Sequence, residues 1–522
     1  MQQHVFESAE SPTAFAWQQQ RAFDAMTLAS ARRERGHFGT PAAIANFMAS
    51  LFGPMSSNDS WRVLDPGAGV GMLSAAACEW IASQSPARHV YCELWEDDPA
   101  LEPYMRATMD WCQRALRDKG VRVEYAIRTD DFVLTNTRAT LFDDGPCERF
   151  DLAILNPPYY KLRKDSRHAR EMAHVVHGQP NIYTLFMAVA SDLLVQGGRM
   201  AAITPRSYFN GPYFKRFRKW FFDRMTVRHV HVFDSRTDAF RDDAVLQENV
   251  ILLAEKGRLP GEVLLTSSEG RDLREQRRCA VPYQSVMTDS AGDHVVRVTT
   301  SSIDQDLIAA IDNLPDRLRS FELEVSTGPV VTFRATEFLR ESRAQDTAPL
   351  LWMHNVRPFV TQFPERNGKP PHIAVIAGSK RLLVPARRYV LLKRFTAKEE
   401  KRRLVAGIVE AENSYSQWLG LENHLNYVHR KSADLTTLEA WGLAAYFNSS
   451  YVDRYFRAVS GNTQVNAAEI RALPLPDWHT LTRMGQEIEK TRETSPCRVD
   501  AVVGRALRLP EDLVHALAEC AE

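Results

Sequence analysis

The sequence predicts an α/β fold built on a mainly parallel sheet, and three observations carry that expectation. Apolar strand-like runs alternate with helical runs from about residue 61 to residue 255. One such run leads into three alternating glycines that open a helix, in Trp61-Arg62-Val63-Leu64-Asp65-Pro66-Gly67-Ala68-Gly69-Val70-Gly71. Another, Asp151-Leu152-Ala153-Ile154-Leu155, ends in Asn156-Pro157-Pro158-Tyr159. Ligands of open α/β sheets gather at the carboxyl ends of the strands, where both motifs lie.

Taken in order, the glycine turn comes first and feeds an apolar helix at 72–81. Glycines there let a nucleotide-like ligand approach the backbone closely. Asp65 precedes them, and no second glycine-rich βα turn offers a place for another mononucleotide, so S-adenosylmethionine fits better than NAD. A strand follows at 89–93. Asp130-Asp131-Phe132 reads by itself as a polar strand end followed by a core Phe. The strand at 150–155 comes next, and beyond it the pattern gives a helix at 181–195, a strand at 198–204 and a helix at 211–224. Strands at 227–234 and 250–255 close the series. After Lys256-Gly257-Arg258-Leu259-Pro260-Gly261 the pattern loosens into shorter β-like runs at 329–333, 373–377 and 388–393. That change sets the expected boundary, with one domain at 1–257 and a second at 258–522. Helical periodicity returns at 436–456.

Asn156-Pro157-Pro158-Tyr159 suits methylation of an amino nitrogen. The amide oxygen of Asn156 and the carbonyl of Pro157 can accept from an exocyclic NH2, and the two prolines fix that geometry. Tyr159 offers a flat face for a base. The alternative is an ordinary strand-ending turn.

With these motifs the chain resembles a gamma-class N6-adenine DNA methyltransferase of the PstI/BsuBI type, the modification half of a type II restriction-modification system. The resemblance runs from about Arg35 to Asn249 and continues more softly through Ser326-Thr327-Gly328, Leu351-Trp352-Met353-His354-Asn355-Val356 and Lys393-Arg394-Phe395 to Leu473-Pro474. It implies a Rossmann-like class I sheet that binds S-adenosylmethionine, and a C-terminal target-recognition region. Arg35-Gly36-His37-Phe38-Gly39-Thr40-Pro41 resembles the N-terminal cofactor motif, with Thr40 and Pro41 nearest the ligand; His37 and Gly39 depart from the family pattern. Asp65, Gly67 and Gly69 belong to the cofactor site by the same likeness. An acidic residue for the ribose falls to Glu96 or Glu93, with Glu96 the better fit. Asp131 accepts from the cofactor's amino group and Phe132 packs on its ring. Asn156, Pro157, Pro158 and Tyr159 are catalytic, and Phe240 stacks the extruded base opposite Tyr159; Phe240 also reads as a core residue before a strand. The implied substrate is double-stranded DNA at a short site such as CTGCAG, and the implied functional partner is a cognate restriction endonuclease.

Several other readings stand beside this one. Pro146-Cys147 and Glu248-Asn249-Val250 are similar to elements of cytosine-C5 enzymes, but Cys147 precedes its strand and N6 chemistry needs no thiolate. Glutamine N5-methyltransferases share Asn-Pro-Pro-Tyr without a C-terminal half of this size. Glu399-Glu400-Lys401 fits part of a nuclease motif that lacks its upstream Pro-Asp, so a fused restriction enzyme is not favoured. A non-catalytic DNA-binding protein would need a broken motif. The 522 residues, 44% hydrophobic, suffice for two or three domains, and 65 basic residues balance 65 acidic ones. No apolar run reaches the roughly 18 residues of a membrane span, and no signal-peptide pattern opens the chain, so a cytoplasmic protein without membrane attachment is expected. Seven scattered cysteines without a Cys-x-x-Cys pair suggest reduced thiols and no bound metal. The basic stretches at 206–224 and 380–403 are candidates for phosphate contact or for solvated helix faces, and Gly461-Asn462-Thr463-Gln464-Val465-Asn466 for base contact.

Overall fold

A computed structural model of the chain describes residues 11–27, 39–54, 59–84, 88–142, 149–178, 180–233, 249–268, 273, 276–289, 293–299, 302–364, 368–396, 402–410, 414–459 and 464–519. The chain divides into two compact units, Met1–Thr300 and Ser301–Glu522.

Among the described residues the first unit is built on a nine-stranded sheet. Its strands are β1 (Ser60–Pro66), β2 (His89–Trp95), β3 (Arg122–Arg128), β4 (Phe150–Leu155), β5 (Leu194–Pro205), β6 (Met225–Phe233), β7 (Asn249–Lys256), β8 (Glu262–Ser268) and β9 (Gln276–Pro282). Their order is β3-β2-β1-β4-β5-β7-β6-β8-β9. β1 to β5 run parallel, whereas β7 inserts antiparallel between β5 and β6. The first seven strands thus form the Rossmann-like sheet of class I S-adenosylmethionine-dependent methyltransferases. Strand order reverses between β1 and β4, and this reversal opens a crevice at their carboxyl ends.

Alternation along the central strands supplies two cores. Val63 and Leu152 face one side with helices α1 (Pro12–Met26), α2 (Ala42–Ser50), α3 (Met72–Gln84) and α4 (Glu102–Arg117). Leu64 and Ala153 face the other. There they meet α5 (Phe132–Phe142), α7 (Ile182–Leu193) and α8 (Lys215–Phe222). The short α6 (Arg167–Glu171) is capped by Ser166, which accepts from Ala169 N–H.

Some expected bounds shift. The helix expected at 181–195 ends at Leu193, and β5 begins at Leu194 without a loop. The helix expected at 211–224 is replaced by 3-10 turns at Arg206–Phe209 and Pro212–Phe214 followed by α8. The boundary expected after residue 257 is too early. β8 pairs parallel with β6 and β9 pairs with β8, so the sheet keeps growing past that point and the first unit ends at Thr300.

In the second unit, Glu324–Thr327, Leu425–His429, Tyr389–Lys393 and Ala406–Val409 form one antiparallel sheet in that order. A second sheet contains Thr347–Leu351, His372–Ala374 and Trp418–Leu421. The expected run at 329–333 is reduced to an isolated parallel bridge between Val330 and Glu422, followed by a 3-10 segment at Thr332–Arg334. Thr437–Asn448 and Ser450–Val459 fill the expected helical stretch, broken at Ser449. Thr436 and Glu439 form a capping box, in which Thr436 Oγ1 accepts from Glu439 N–H at 3.2 Å and Glu439 Oε2 from Thr436 N–H at 2.6 Å. Among the described residues no helix is long and apolar enough to cross a membrane.

Candidate cofactor and catalytic cleft

The glycine turn after β1 is tied to the end of β2. Gly67 and Ala68 donate their N–H groups to Trp95 O at 2.8 and 2.9 Å. Gly67, Gly69 and Gly71 have φ of 76°, 57° and 84°, the left-handed region where only glycine is unstrained. A Cβ on Gly67 would also lie 3.6 Å from the carbonyl oxygen of Asn156, so the two motifs sit side by side.

Asp65 lies beneath this turn, fully buried. Its Oδ2 accepts from Ser74 N–H at 3.0 Å and Ser74 Oγ at 2.7 Å, which anchors α3, and it does not line the cleft. Burial pushes its carboxyl up to about 7, against the pull of Ser74.

Of the two acidic candidates after β2, Glu96 lines the cleft and Glu93 does not. Glu93 is engaged by Trp95 Nε1 at 3.0 Å and Tyr91 OH at 3.3 Å. Glu96 accepts from Gly69 N–H at 3.0 Å and Asp98 N–H at 3.1 Å. Burial raises its carboxyl to about 7, the two N–H groups pull it down, and Asp97 and Asp98 push it further up.

Asp131 and Phe132 stand at the start of α5, across the cleft. Asp131 Oδ1 accepts from Leu134 N–H at 2.8 Å, and Oδ2 lies 2.7 Å from His168 Nε2. Burial pushes the Asp131 carboxyl up, but His168 and the helix N–H groups win and hold it below its ordinary value. Phe132 meets Trp95 edge-on at 5.6 Å and Phe186 at 5.3 Å, so three rings form an aromatic wall.

Asn156 reaches the cleft from the end of β4. Its Nδ2 donates to Thr40 Oγ1 at 3.0 Å, and its Oδ1 accepts from Tyr159 OH at 2.6 Å. Tyr159 OH also lies 3.0 Å from Ile203 O, and its ring meets Tyr183 edge-on at 6.3 Å. Burial holds its hydroxyl far above the ordinary tyrosine value. Pro157 is buried, Pro158 lines the cleft, and Pro41 starts α2 by accepting from Ala45 N–H. Tyr160, 45% exposed, is the aromatic of this loop that lines the cleft.

The cleft therefore gathers Gly67, Gly69, Glu96, Asp131, Phe132, Asn156 and Pro158, with Thr40 bonded to Asn156. Asp65, Pro41, Pro157 and Tyr159 lie outside its lining. Phe240, Cys147 and Glu399 to Lys401 fall outside the described residues. Gln20 and Phe23 from α1, and His168 and Phe186 from beyond the Asn-Pro-Pro-Tyr loop, also line it. No motif marks these four, which reach the cleft only through the fold; Trp95 and Asp97, also in the lining, at least adjoin Glu96. The lining fits S-adenosylmethionine: carboxylates to accept from hydroxyl and amino groups, rings for an adenine, and bare glycine backbone where a ligand must come close.

In the basic stretch at 206–224, Lys215, Arg216 and Lys219 are exposed while Arg218 is built into the fold. Arg218 is buried, donates to Asp293 at 2.8 and 2.7 Å and to the carbonyls of Tyr208 and Gly211, while Arg216 donates to Ala173 O at 2.6 Å. In the 380–403 stretch Arg388 pairs with Glu410 at 2.6 Å and Arg403 is buried.

Residues 113–240 match the Eco57I restriction-modification methylase family. The type II methyltransferase M.BsuBI of Bacillus subtilis is 35% identical over 477 residues, 90% of this chain and 93% of that protein. M.PstI of Providencia stuartii, also a type II methyltransferase, is 32% identical over 481 residues, 92% of this chain and 94% of its own. The type IIL restriction-modification enzyme MmeI, solved in complex with DNA, shares the fold at a TM-score of 0.57 and 11% identity, covering 98% of this chain and 79% of that one. The chain belongs to the type II restriction-modification methyltransferases, the family that includes M.BsuBI and M.PstI.

Proposed function

We propose that this protein methylates the N6 amino group of an adenine in double-stranded DNA, at one short sequence and on a base flipped out of the duplex. The observation that carries the reading is the Asn156 amide at the end of β4, inside the same cleft as Gly67, Gly69 and Glu96. S-adenosylmethionine supplies the methyl group on an electrophilic sulfonium. Glu96, Asp131 and Phe132, with Phe186, would hold it. Asn156 Oδ1 and Pro157 O accept from the two N–H bonds of the amine, which directs its lone pair at the methyl group and spreads the positive charge that develops on nitrogen. Thr40 holds the NH2 side of the Asn156 amide, which keeps the oxygen turned the other way. Tyr159 OH already occupies that oxygen, so the entering amine shares or displaces it. Tyr159 and Phe240 are the stacking partners of the extruded base, a role supported by the family resemblance.

Relatives that extend over nine-tenths of the chain support DNA rather than a protein glutamine as substrate. Protection from a cognate restriction endonuclease is the matching biological role. The test is transfer of labelled methyl from S-adenosylmethionine to plasmid DNA, with nucleosides resolved and modified positions mapped. N6-methyladenine at a single motif is expected; labelled protein with unlabelled DNA would overturn the reading.

A further inference from the structure

In the second unit, a turn of Glu422-Asn423-His424 joins strands Trp418–Leu421 and Leu425–His429. Glu422 is a buried carboxylate, its side chain 1% exposed. Its Oε2 accepts from His424 N–H at 3.0 Å. Its Oε1 lies 2.8 Å from His424 Nδ1, a contact of charge proximity rather than an aligned hydrogen bond. Burial raises this carboxyl, and His424, Lys369 and Arg394 all oppose the rise. Burying a carboxylate with an incompletely satisfied oxygen costs stability, and a two-strand turn does not need one.

The arrangement orients a histidine. With Nδ1 at Glu422, Nε2 lies on the far side of an imidazole that is 44% exposed. Phe395 meets this ring edge-on at 4.6 Å and is itself 37% exposed. Arg394 Nη1 donates to Asn423 O at 3.0 Å, and its guanidinium is 5.8 Å from the Phe395 ring. Lys369 sits over Trp352 at 4.6 Å. Among the described residues, the cations Lys369 and Arg394 both act on the Glu422 carboxylate, beside an exposed ring and an imidazole set against it. That combination suits a polyanion with apolar and hydrogen-bonding edges, such as duplex DNA.

We propose that His424, oriented by Glu422 and flanked by Arg394, Phe395 and Lys369, is a point at which the second unit reads duplex DNA. Arg394 and Lys369 meet phosphates, while His424 and Phe395 meet base edges. The assignment rests on the reading of the chain as a DNA methyltransferase.

The test uses the full-length protein and fluorescence anisotropy on two duplexes, one carrying the methylated motif and one scrambled, over a series of salt concentrations. Lys369→Ala and Arg394→Ala are expected to weaken binding to both duplexes and to lower the salt slope by about 0.9 for each phosphate no longer neutralised. His424→Ala and Phe395→Ala should reduce the preference for the motif by about tenfold, the scale of discrimination that a single side chain reading a base edge provides. Glu422→Gln should also reduce that preference, whereas a merely structural carboxylate would lower the melting temperature and leave the preference intact. Unchanged slope and preference in all variants, with the wild type binding the motif, would overturn the proposal. A wild type that binds neither duplex and methylates protein would overturn the DNA reading, and this surface with it.

Discussion

Asn156 is held from both sides, and its two hydrogen bonds make separable predictions. Asn156→Ala should keep cofactor affinity and lose most turnover, since it removes the acceptor that directs the amine. Thr40→Val leaves the Asn156 NH2 without its partner and lets the amide turn. We expect kcat to fall by roughly 10- to 100-fold with a smaller change in KM for S-adenosylmethionine, and Thr40→Ser to restore it. An unchanged kcat in Thr40→Val would remove Thr40 from the positioning role. Glu96 sets a pH dependence of its own. Its carboxyl is raised to about 7, so it begins to protonate near neutrality and then accepts one hydrogen bond fewer. Cofactor affinity should therefore be full above pH 7 and fall by up to about tenfold per pH unit below it, a slope that isothermal titration should find flattened in Glu96→Gln. The Asn156 motif was legible in the sequence, whereas Glu96 was favoured over Glu93 only through the family resemblance. Which way Tyr159 faces was not legible. Its hydroxyl is claimed by Asn156 and by Ile203, and the second partner lies 44 residues away.

β6 carries a pair of histidines whose neighbours come from other elements. His229 Nε2 and His231 Nδ1 each lie 2.8 Å from Thr266 Oγ1 of β8, and His231 Nε2 lies 3.1 Å from Ser268 Oγ. Phe47 of α2 meets both rings edge-on. Burial pushes His229 down to about 4, helped by Arg278, and His231 down to about 3, helped by His229. Both are below the unfolded value of about 6.5, so the unfolded chain takes up protons that the folded one refuses. Their contribution is intact above pH 6.5 and is lost as pH falls from there toward 4, at up to roughly 1.4 kcal/mol per pH unit for each histidine. Thermal melts between pH 7 and 5 should show a steep loss of stability, shallower in His231→Asn; equal slopes would sink the idea. At this scale β6 and β7 were readable as strands from their apolar, β-branched runs. The passage from α7 directly into β5 was not, because Leu193 and Leu194 are both apolar and no turn residue separates them. On α8, Lys215, Arg216 and Lys219 are exposed, as a solvated face would leave them, but the burial of Arg218 was not readable. Arg218 is bound by Asp293, 75 residues downstream, and a charge run does not reveal a distant partner.

Among the described residues, each hydrophobic core draws on one unit alone. The two cores around the large sheet use residues between Ala16 and Val298, and those of the second unit use residues between Leu307 and Leu517. The loosening of pattern after residue 257 suggested an end to the first domain, because Gly and Pro punctuate 256–261 and the β-like runs read beyond it are short. β8 and β9 nevertheless belong to the sheet: Val263, Leu265, Val281, Val286, Met287, Val296 and Val298 all lie in the core beside α7 and α8. This gives a test of where the domain ends. A fragment of residues 1–300 should fold cooperatively and bind S-adenosylmethionine, because its cores and its cofactor cleft are complete. A fragment of residues 1–257 is stripped of these seven core side chains and leaves the β6 edge, which pairs with β8 over His229 to Phe233, without a partner. An unpaired strand edge beside bared apolar surface favours association between chains. We expect the shorter fragment to aggregate or to melt without a cooperative transition, while the longer one melts sharply and shifts upward with cofactor. Equal, cooperative folding of both would place the boundary at 257 after all. If the longer fragment also methylates DNA, it should do so without the motif preference of the full chain, since the surface around His424 would be gone.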